Sequence, residues 1–411
     1  MTNIKIISKK LIKPCIPTPQ NLKNYKLSFL DEISPQMQVG VVLFYPSKEK
    51  NSHLEESLAK ILVQFYPLAG RFVENDLMVD CSDQGAQFVE AEAPDVELLD
   101  LIVERNLEKL HFLSPREAID PLLSIQITSF KCGGVALAVS VPHRIFDASS
   151  LATFITAWSS AGKIIICPCF DAASWFPARN HQGKGRGIEA SRSIVKKFPF
   201  KKEALASLRS ISRVSRVSRV CAVTAVIARA LIGLDRAKRE GESRPSIIVQ
   251  AVNIRERTIP PLPEHSCGNM VALSPTRCMD AAETMHAGIR ELVCLLGDAI
   301  EKSISGYALL RSVDQEGMKG IVINPVADAY KKSVRGEANV MWFSDWSKFG
   351  FYEADFGWGK PAWTSIGEVP GENFVVLMND KEGDGIEAWV NLDGNDMKLF
   401  EQDEEIGFFT T

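Results

Sequence analysis

A histidine closes an apolar stretch and an aspartate follows four residues later in SVPHRIFDASS (140–150), while a second aspartate opens DFGWGKP (355–361). Imidazole suits proton removal near neutral pH, because its ordinary pKa of about 6.5 leaves it mostly neutral and still basic. His143 is therefore the candidate general base for a reaction in which a hydroxyl or amine loses its proton as it attacks an electrophile. Asp147 has two readings. It orients the imidazole as the acid of a dyad, or it caps the following helix by accepting the first free backbone N–H groups, worth about 1 kcal/mol. Gly357, Gly359 and Ala362 satisfy GxGxxA, but a dinucleotide fingerprint needs a helix opening on the loop, and Pro361 followed by AWTS offers none.

Other chemistries find less support in the sequence. There is no GxSxG to present a serine nucleophile on a strand-to-helix turn. His143 and Asp147 have no further histidine pair or carboxylate cluster to complete a coordination shell, so no metal is expected. The nine cysteines are scattered without CxxC pairs, and Cys167 and Cys169 form only C-P-C, which points to reduced thiols in a cytosolic compartment. A net charge of −4 gives no general reason to bind nucleic acid or an anionic membrane. The basic start MTNIKIISKKLIKP alternates Ile4, Ile6 and Leu11 with lysines, so it reads as a first strand and not a secretion signal, and no apolar run has the length of a membrane span.

The elements that must position these residues follow from periodicity. Leu54, Leu58, Ile61, Leu62 and Phe65 share one helical face between His53 and Tyr66, with Pro67 and Gly70 as the stop. IQITSF (125–130) and VALAVSV (135–141) are strands joined by KCGG, and the second delivers His143 just past its end. Leu151, Phe154, Ile155 and Trp158 then repeat at helical spacing, so the histidine sits on a strand-to-helix bend. The pattern fades through RNHQGKGRGIEASRS, read as a crossover between two halves. Past it, the short repeat SRVSRVSRV (212–220) leads into a helix through Ala222, Val226 and Leu231. SIIVQAV (246–252), NVMWFSDW (339–346), FVVLMND (374–380) and GIEAWV (385–390) supply the strands of the second half. Strands interleaved with helices give a mixed α/β (α+β) protein of two domains: 1–178, a linker at 179–195, and 196–411, with part of 345–380 packing on the first.

With HxxxD and DFGWG in place, the chain resembles the plant BAHD acyltransferases nearly end to end, through LIKPCIPTP, LSFLDEIS, VQFYPLAGRF, SFKCGGVALAV, FITAW, VQAVNIRERTIPPLP, CGNM and MNDKEGDGIEAWV. It looks closest to the alkaloid acetyltransferases of that family. The resemblance implies two similar chloramphenicol-acetyltransferase-like domains with a solvent channel between them. It also implies an acyl-CoA co-substrate, acetyl-CoA first and malonyl-CoA next, with no permanently bound cofactor. The acceptor would be a hydroxyl or amine of an alkaloid-type metabolite, and the protein a cytoplasmic monomer. Family members turn the carboxylate matching Asp147 away from substrate and pair it with an arginine, for which Arg255 of VNIRER is the match and Arg257 the reserve. Asp355, with Gly357, Trp358 and Gly359, would brace a loop that lets coenzyme A enter, Trp358 by packing.

Thioester attack builds negative charge on the carbonyl oxygen, and a preorganised donor there is worth about 2.7–4 kcal/mol. Ser344 in FSDW falls where relatives carry Thr-Ser-Trp, which makes it the candidate donor; Trp346 and Asn253 are candidates for the acyl or acceptor pocket, and Asn253, Asn269 and backbone amides are further candidate donors. Two departures stand out. Ala148 replaces the glycine usual after the motif aspartate, and the crossover, the loops between about 280 and 340, and the C-terminus are short. They leave one alternative: a catalytically degenerate paralogue that binds acyl-CoA or a metabolite without efficient transfer.

Overall fold

The computed structural model describes residues 4–46, 53–73, 77–99, 101, 120–160, 164–178, 193–214, 217–367 and 371–410. Positions 179–192 of the expected crossover and 215–216 of the SRV repeat lie outside the described residues. Residues 193–195, expected in the linker, already belong to the strand Ser193–Phe200. The chain forms two compact units. The first takes Met1–Glu189, Pro263–Met270 and Phe349–Pro370; the second takes Ala190–Leu262, Val271–Lys348 and Gly371–Thr411. Phe349–Pro370 falls within the 345–380 stretch expected to join the first domain, whereas nothing in the sequence marked Pro263–Met270 as part of it.

The first unit is built on a six-stranded sheet in the order Lys5–Ile12, Ala86–Ala93, Ser124–Phe130, Val135–Pro142, Gln38–Tyr45, Trp363–Ile366. Every residue of Val135–Pro142 is buried, because this strand lies inside the sheet and both of its faces are covered; hence it reads as an unbroken apolar run. KCGG makes the turn to it: Phe130 N–H donates to Gly134 O at 2.9 Å and Gly133 N–H to Phe130 O at 3.0 Å, with Gly133 at φ 81°. The last strand arrives from late in the chain and pairs antiparallel with Gln38–Tyr45, stacking Trp363 on Phe44 with ring centroids 4.7 Å apart.

The helix expected over His53 to Tyr66 is shorter. It runs Leu54–Ile61, and a separate 3-10 turn, Tyr66–Ala69, takes the chain to Gly70. Leu54, Leu58, Leu62 and Phe65 are nevertheless all buried, since the chain keeps turning past the helix: Val63 and Gln64 N–H donate three residues back, to Lys60 and Ile61 O, and Phe65 N–H four back, to Ile61 O.

The second unit also carries a six-stranded mixed sheet, ordered Val271–Pro275, Ser246–Asn253, Asn339–Asp345, Phe374–Asn379, Ile386–Asp393, Ser193–Phe200. Ser246–Asn253, Asn339–Asp345 and Phe374–Asn379 run parallel to one another. Helix Arg219–Lys238 starts where the SRV repeat ends: Ser218 caps it by accepting from Cys221 N–H, and Ala222, Val226 and Leu231 enter a core with Leu292, Leu296, Met341 and Leu377. Just before KEGDG (381–385), Asp380 Oδ1 accepts from Gly383 N–H at 2.8 Å and Gly385 N–H at 3.0 Å, which closes the hairpin between Phe374–Asn379 and Ile386–Asp393.

Candidate active site

His143 follows the last residue of strand Val135–Pro142, and three sets of bonds define the bend it occupies. Its backbone N–H donates to Met37 O at 2.8 Å, and Ile145 and Phe146 N–H both turn back on Pro142 O at 3.0 and 3.3 Å. Asp147 then caps helix Ala148–Ser159 by accepting from Ser150 N–H at 2.8 Å through Oδ1. Ala148 is the first helical residue, a position any residue adopts, so its departure from glycine carries no conformational cost.

The bend is completed by a segment more than a hundred residues away. Asp147 Oδ2 accepts from Met270 N–H at 3.0 Å, so both carboxylate oxygens are engaged by backbone. Asn269 Nδ2 donates to the His143 carbonyl at 2.6 Å and to Asp31 Oδ1 at 3.0 Å, and Asn269 N–H adds a bond to Asp31 Oδ1 at 2.9 Å. Gly268 and Ser150 are joined both ways, with Ser150 Oγ 2.9 Å from Gly268 O and 3.1 Å from Gly268 N. The excursion Pro263–Met270 thus clamps the histidine bend residue by residue.

Asp31 anchors this clamp. It lies in the short helix Phe29–Glu32, where Ser28 and Asp31 form a reciprocal capping box, and its Oδ2 accepts from both Ser28 N–H and Ser28 Oγ at 2.7 Å. The residue is fully buried. Burial pushes its pKa up, against hydrogen bonds from Ser28 and Asn269 that favour the carboxylate.

His143 is half-buried as a residue, with Nδ1 enclosed. Burial holds its pKa below the usual 6.5, because the protonated ring loses hydration; its own backbone carbonyl, then Asp147 and Asn269, pull the other way. A ring with a depressed pKa is neutral at neutral pH and ready to accept a proton.

The DFGWG segment sits elsewhere in the same unit. Phe356 and Trp358 are buried while Asp355, Gly357 and Gly359 face outward, so the loop alternates anchor and rim. Trp358 packs edge-on to Tyr45 with centroids 5.2 Å apart, and Phe356 edge-on to Trp158 at 4.7 Å. Trp158 belongs to the last turn of helix Ala148–Ser159, whose first turn follows Asp147, so the two motifs occupy opposite ends of one helix, about 18 Å long at 1.5 Å per residue. Tyr45 Oη donates to Ala354 O at 2.9 Å, and burial, with Asp355 nearby, pushes this phenol far up in pKa and keeps it a donor. Asp355 Oδ1 accepts from Gly357 N–H at 2.8 Å and Gly359 N–H at 2.9 Å; both glycines have left-handed φ, 90° and 79°.

The remaining sequence-derived residues lie in the second unit. Ser344 and Trp346 stand at the end of strand Asn339–Asp345, and Ser344 Oγ accepts the Trp346 indole N–H at 3.0 Å. Asn253 ends the adjacent strand and shapes the loop after it, its Oδ1 accepting from Arg255 N–H at 3.1 Å and Arg255 Nη1 at 3.2 Å, while Arg257 Nη1 donates to Asn253 O. Arg255 itself is buried. Asp31 and Ser150 had no place in the sequence reading. The one local signal for Asp31 was Ser28-x-x-Asp31, a capping-box spacing inside an apolar stretch.

Comparison with known proteins gives this arrangement a family. The Transferase family model matches residues 2–406. A malonyltransferase of Salvia splendens, acting on pelargonidin 3-O-(6-caffeoylglucoside) 5-O-(6-O-malonylglucoside), is 48% identical over 99% of this chain and 99% of its own. Vinorine synthase of Rauvolfia serpentina is 34% identical over 96% of this chain and 95% of its own. The crystal structure of vinorine synthase superposes with a TM-score of 0.82 at 32% identity, covering 97% of this chain and 96% of that one. The F. sporotrichioides protein TRI101, solved with coenzyme A and T-2, shares the fold at a TM-score of 0.74 and 20% identity, over 94% of this chain and 98% of its own. The chain belongs to the BAHD acyltransferases, with their two-domain fold. It is an acyltransferase whose co-substrate is an acyl-CoA.

Proposed function

We propose that the protein is an O-acyltransferase that moves a malonyl group from malonyl-CoA to a hydroxyl of a glycosylated flavonoid-type acceptor, with His143 as general base. The observation that carries this reading is a half-buried imidazole whose pKa is held below its usual value on a bend held by its own helix cap and by two distant segments, at Met37 and at Asn269–Met270. In the reaction the acceptor oxygen attacks the thioester carbonyl carbon while its proton passes to the imidazole. The tetrahedral intermediate then collapses, the C–S bond breaks, and the coenzyme thiolate recovers the proton from the imidazolium. No covalent acyl-enzyme is needed.

The donor and acceptor rest on the relative at 48% identity, named for malonyl transfer to a glucosylated pelargonidin. Its similarity favours malonyl over the acetyl group expected from the sequence. An alkaloid-type acceptor has the weaker support of vinorine synthase at 34% identity. Within this reading Asp147, bonded to Ser150 and Met270 N–H, shapes the bend and does not touch substrate; Asp355 braces the DFGWG loop. Ser344 is the candidate donor to the carbonyl oxygen, with Trp346 and Asn253 lining the acyl or acceptor pocket. Nine free cysteines agree with a reducing, cytoplasmic setting.

Purified protein incubated with malonyl-CoA or acetyl-CoA and a panel of anthocyanin glucosides and alkaloid alcohols, with products identified by mass, tests the assignment. Malonylated glucoside from wild type and none from His143→Ala is the expected result. Equal turnover by both proteins removes His143 as the base. Protection of the fold by coenzyme A with no product from any pair replaces transfer with the degenerate-paralogue alternative.

A further inference from the structure

The transfer described above uses none of the nine cysteines, yet two of them are brought together inside the second unit. Cys221 stands in the first turn of helix Arg219–Lys238, and Cys294 in the second turn of helix Ile289–Ala308. These helices share one core, to which the first gives Ala222, Val223 and Val226 and the second Leu292, Val293 and Leu296. At its edge Cys221 Sγ lies 3.9 Å from the carbonyl oxygen of Val293, the oxygen of the peptide bond that leads into Cys294. In a trans peptide that oxygen is about 2.8 Å from the following Cα, so the Cys221 sulfur is within about 6.7 Å of Cys294 Cα. The Cys294 side chain spans part of this distance, and rotation about χ1 carries its sulfur toward or away from Cys221.

The two thiols differ in access. Cys294 is exposed, whereas Cys221 is half-buried, and burial, with Cys294 beside it, pushes the Cys221 thiol up to about 11. An oxidant from solution therefore meets Cys294 first. We propose that Cys221 and Cys294 form a reversible disulfide, made by exchange with a small disulfide such as oxidised glutathione, that clamps the two helices together when the thiol pool turns oxidising. The Cys294 thiolate attacks one sulfur of oxidised glutathione, its S–S bond breaks, and one glutathione leaves with the proton given up by Cys294. Cys221 then loses its proton and attacks the Cys294 sulfur of the mixed disulfide; the second glutathione leaves and takes that proton. The protein gives up two electrons and two protons, and one glutathione disulfide becomes two thiols. In a reducing cytosol the exchange runs back, so the pair responds to a change of redox state and is not a permanent staple. Cys221 and the carbonyl it touches are 72 positions apart, so the bond closes a long loop in the unfolded chain and raises the stability of the second unit. The inference is independent of which residue serves as base, because His143 lies in the first unit.

The full-length protein, reduced and then incubated with oxidised glutathione, gives the test. Trypsin releases Cys221 in residues 220–229 and Cys294 in residues 291–302, each the one cysteine of its fragment. Mass analysis of the digest without reductant is expected to find the two fragments joined, and dithiothreitol to separate them. Cys221→Ser is expected to stop at glutathione on Cys294, and Cys294→Ser to leave Cys221 unmodified over the same period. The thermal midpoint of the wild-type protein should rise by several degrees on oxidation, and that of either variant should not. Absence of the joined fragment from the wild-type digest overturns the proposal, whether Cys294 keeps its glutathione or stays a thiol. So does Cys294 joined to any other fragment as the main product. A joined pair that leaves the midpoint where it was also overturns it, since nothing is then clamped. The wild-type digest and midpoint decide even where a variant fails to fold.

Discussion

At one end of helix Ala148–Ser159, Met37 O, the Asn269 amide and Met270 N–H bond His143 and Asp147, with Asp31 holding Asn269 and Gly268 holding Ser150; at the other end, the DFGWG loop satisfies its own backbone and hangs on two aromatic anchors. The first arrangement is buried and long-range. In the second only the carboxylate's bonds are local: Asp355 reaches residues two and four positions on, as Asp380 reaches residues three and five positions on in the plain KEGDG hairpin. A device found in an ordinary hairpin needs no catalytic explanation. The difference separates a residue held for chemistry from one held for shape.

Substitutions at the two ends should therefore behave differently. The largest effect belongs to His143→Ala, expected to lower kcat roughly 10²–10⁴-fold with thermal stability little changed, measured by steady-state kinetics beside calorimetry. A fall in stability of the same order would make the two ends alike. At the opposite end, Trp358→Ala should show the reverse, a loss of about 3–5 kcal/mol in denaturant unfolding from the cavity left against Tyr45. Unchanged unfolding would mean that Trp358 faces substrate instead.

Asp147→Ala sits between them. It removes a helix cap, about 1 kcal/mol, and orphans the Met270 N–H, about 1–3 kcal/mol more, while displacing the base. Both stability and kcat should fall, and a loss in kcat alone would favour the dyad reading. The smallest change is expected at Asp355. Asp355→Ala should cost about 1 kcal/mol by freeing two exposed loop amides, and Asp355→Asn, which keeps the accepting oxygen, well under that. Turnover that collapses in Asp355→Asn while stability holds would give the loop a chemical role.

The pH profile sharpens the contrast further. Only the neutral imidazole accepts a proton, so activity is lost as pH falls through the folded pKa of His143, which burial sets below the usual value of about 6.5. The midpoint of the acid limb should lie below about 6.5; a midpoint at about 6.5 would mean a solvated ring, and one above it an imidazolium stabilised by Asp147.

Much of this was legible without coordinates because the relevant bonds are short in sequence. Asp147 caps a helix three residues on, Asp355 braces glycines two and four residues on, and Ser218 caps the helix after the SRV repeat; each is a local pattern of residue types. The His53 helix was read too long because burial spacing continued unbroken while the hydrogen bonding changed to a 3-10 turn. In the sequence Asn269 is one of several candidate donors to an oxyanion, and Asp31 is not a site residue at all. Their contacts span 126 and 238 positions, and no periodicity carries information over that distance.

Most elements, the bend that carries His143 and the family can be read along the chain, because helix caps, strand runs and motif spacing are set by near neighbours. Tertiary structure alone decided that Pro263–Met270 leaves its own half to join the first unit, and that a buried carboxylate near the N-terminus steadies the amide beside the imidazole. The physical reason is that a buried polar group must find its partner wherever the fold brings one, and burial is a property of the packed chain, not of any stretch of it.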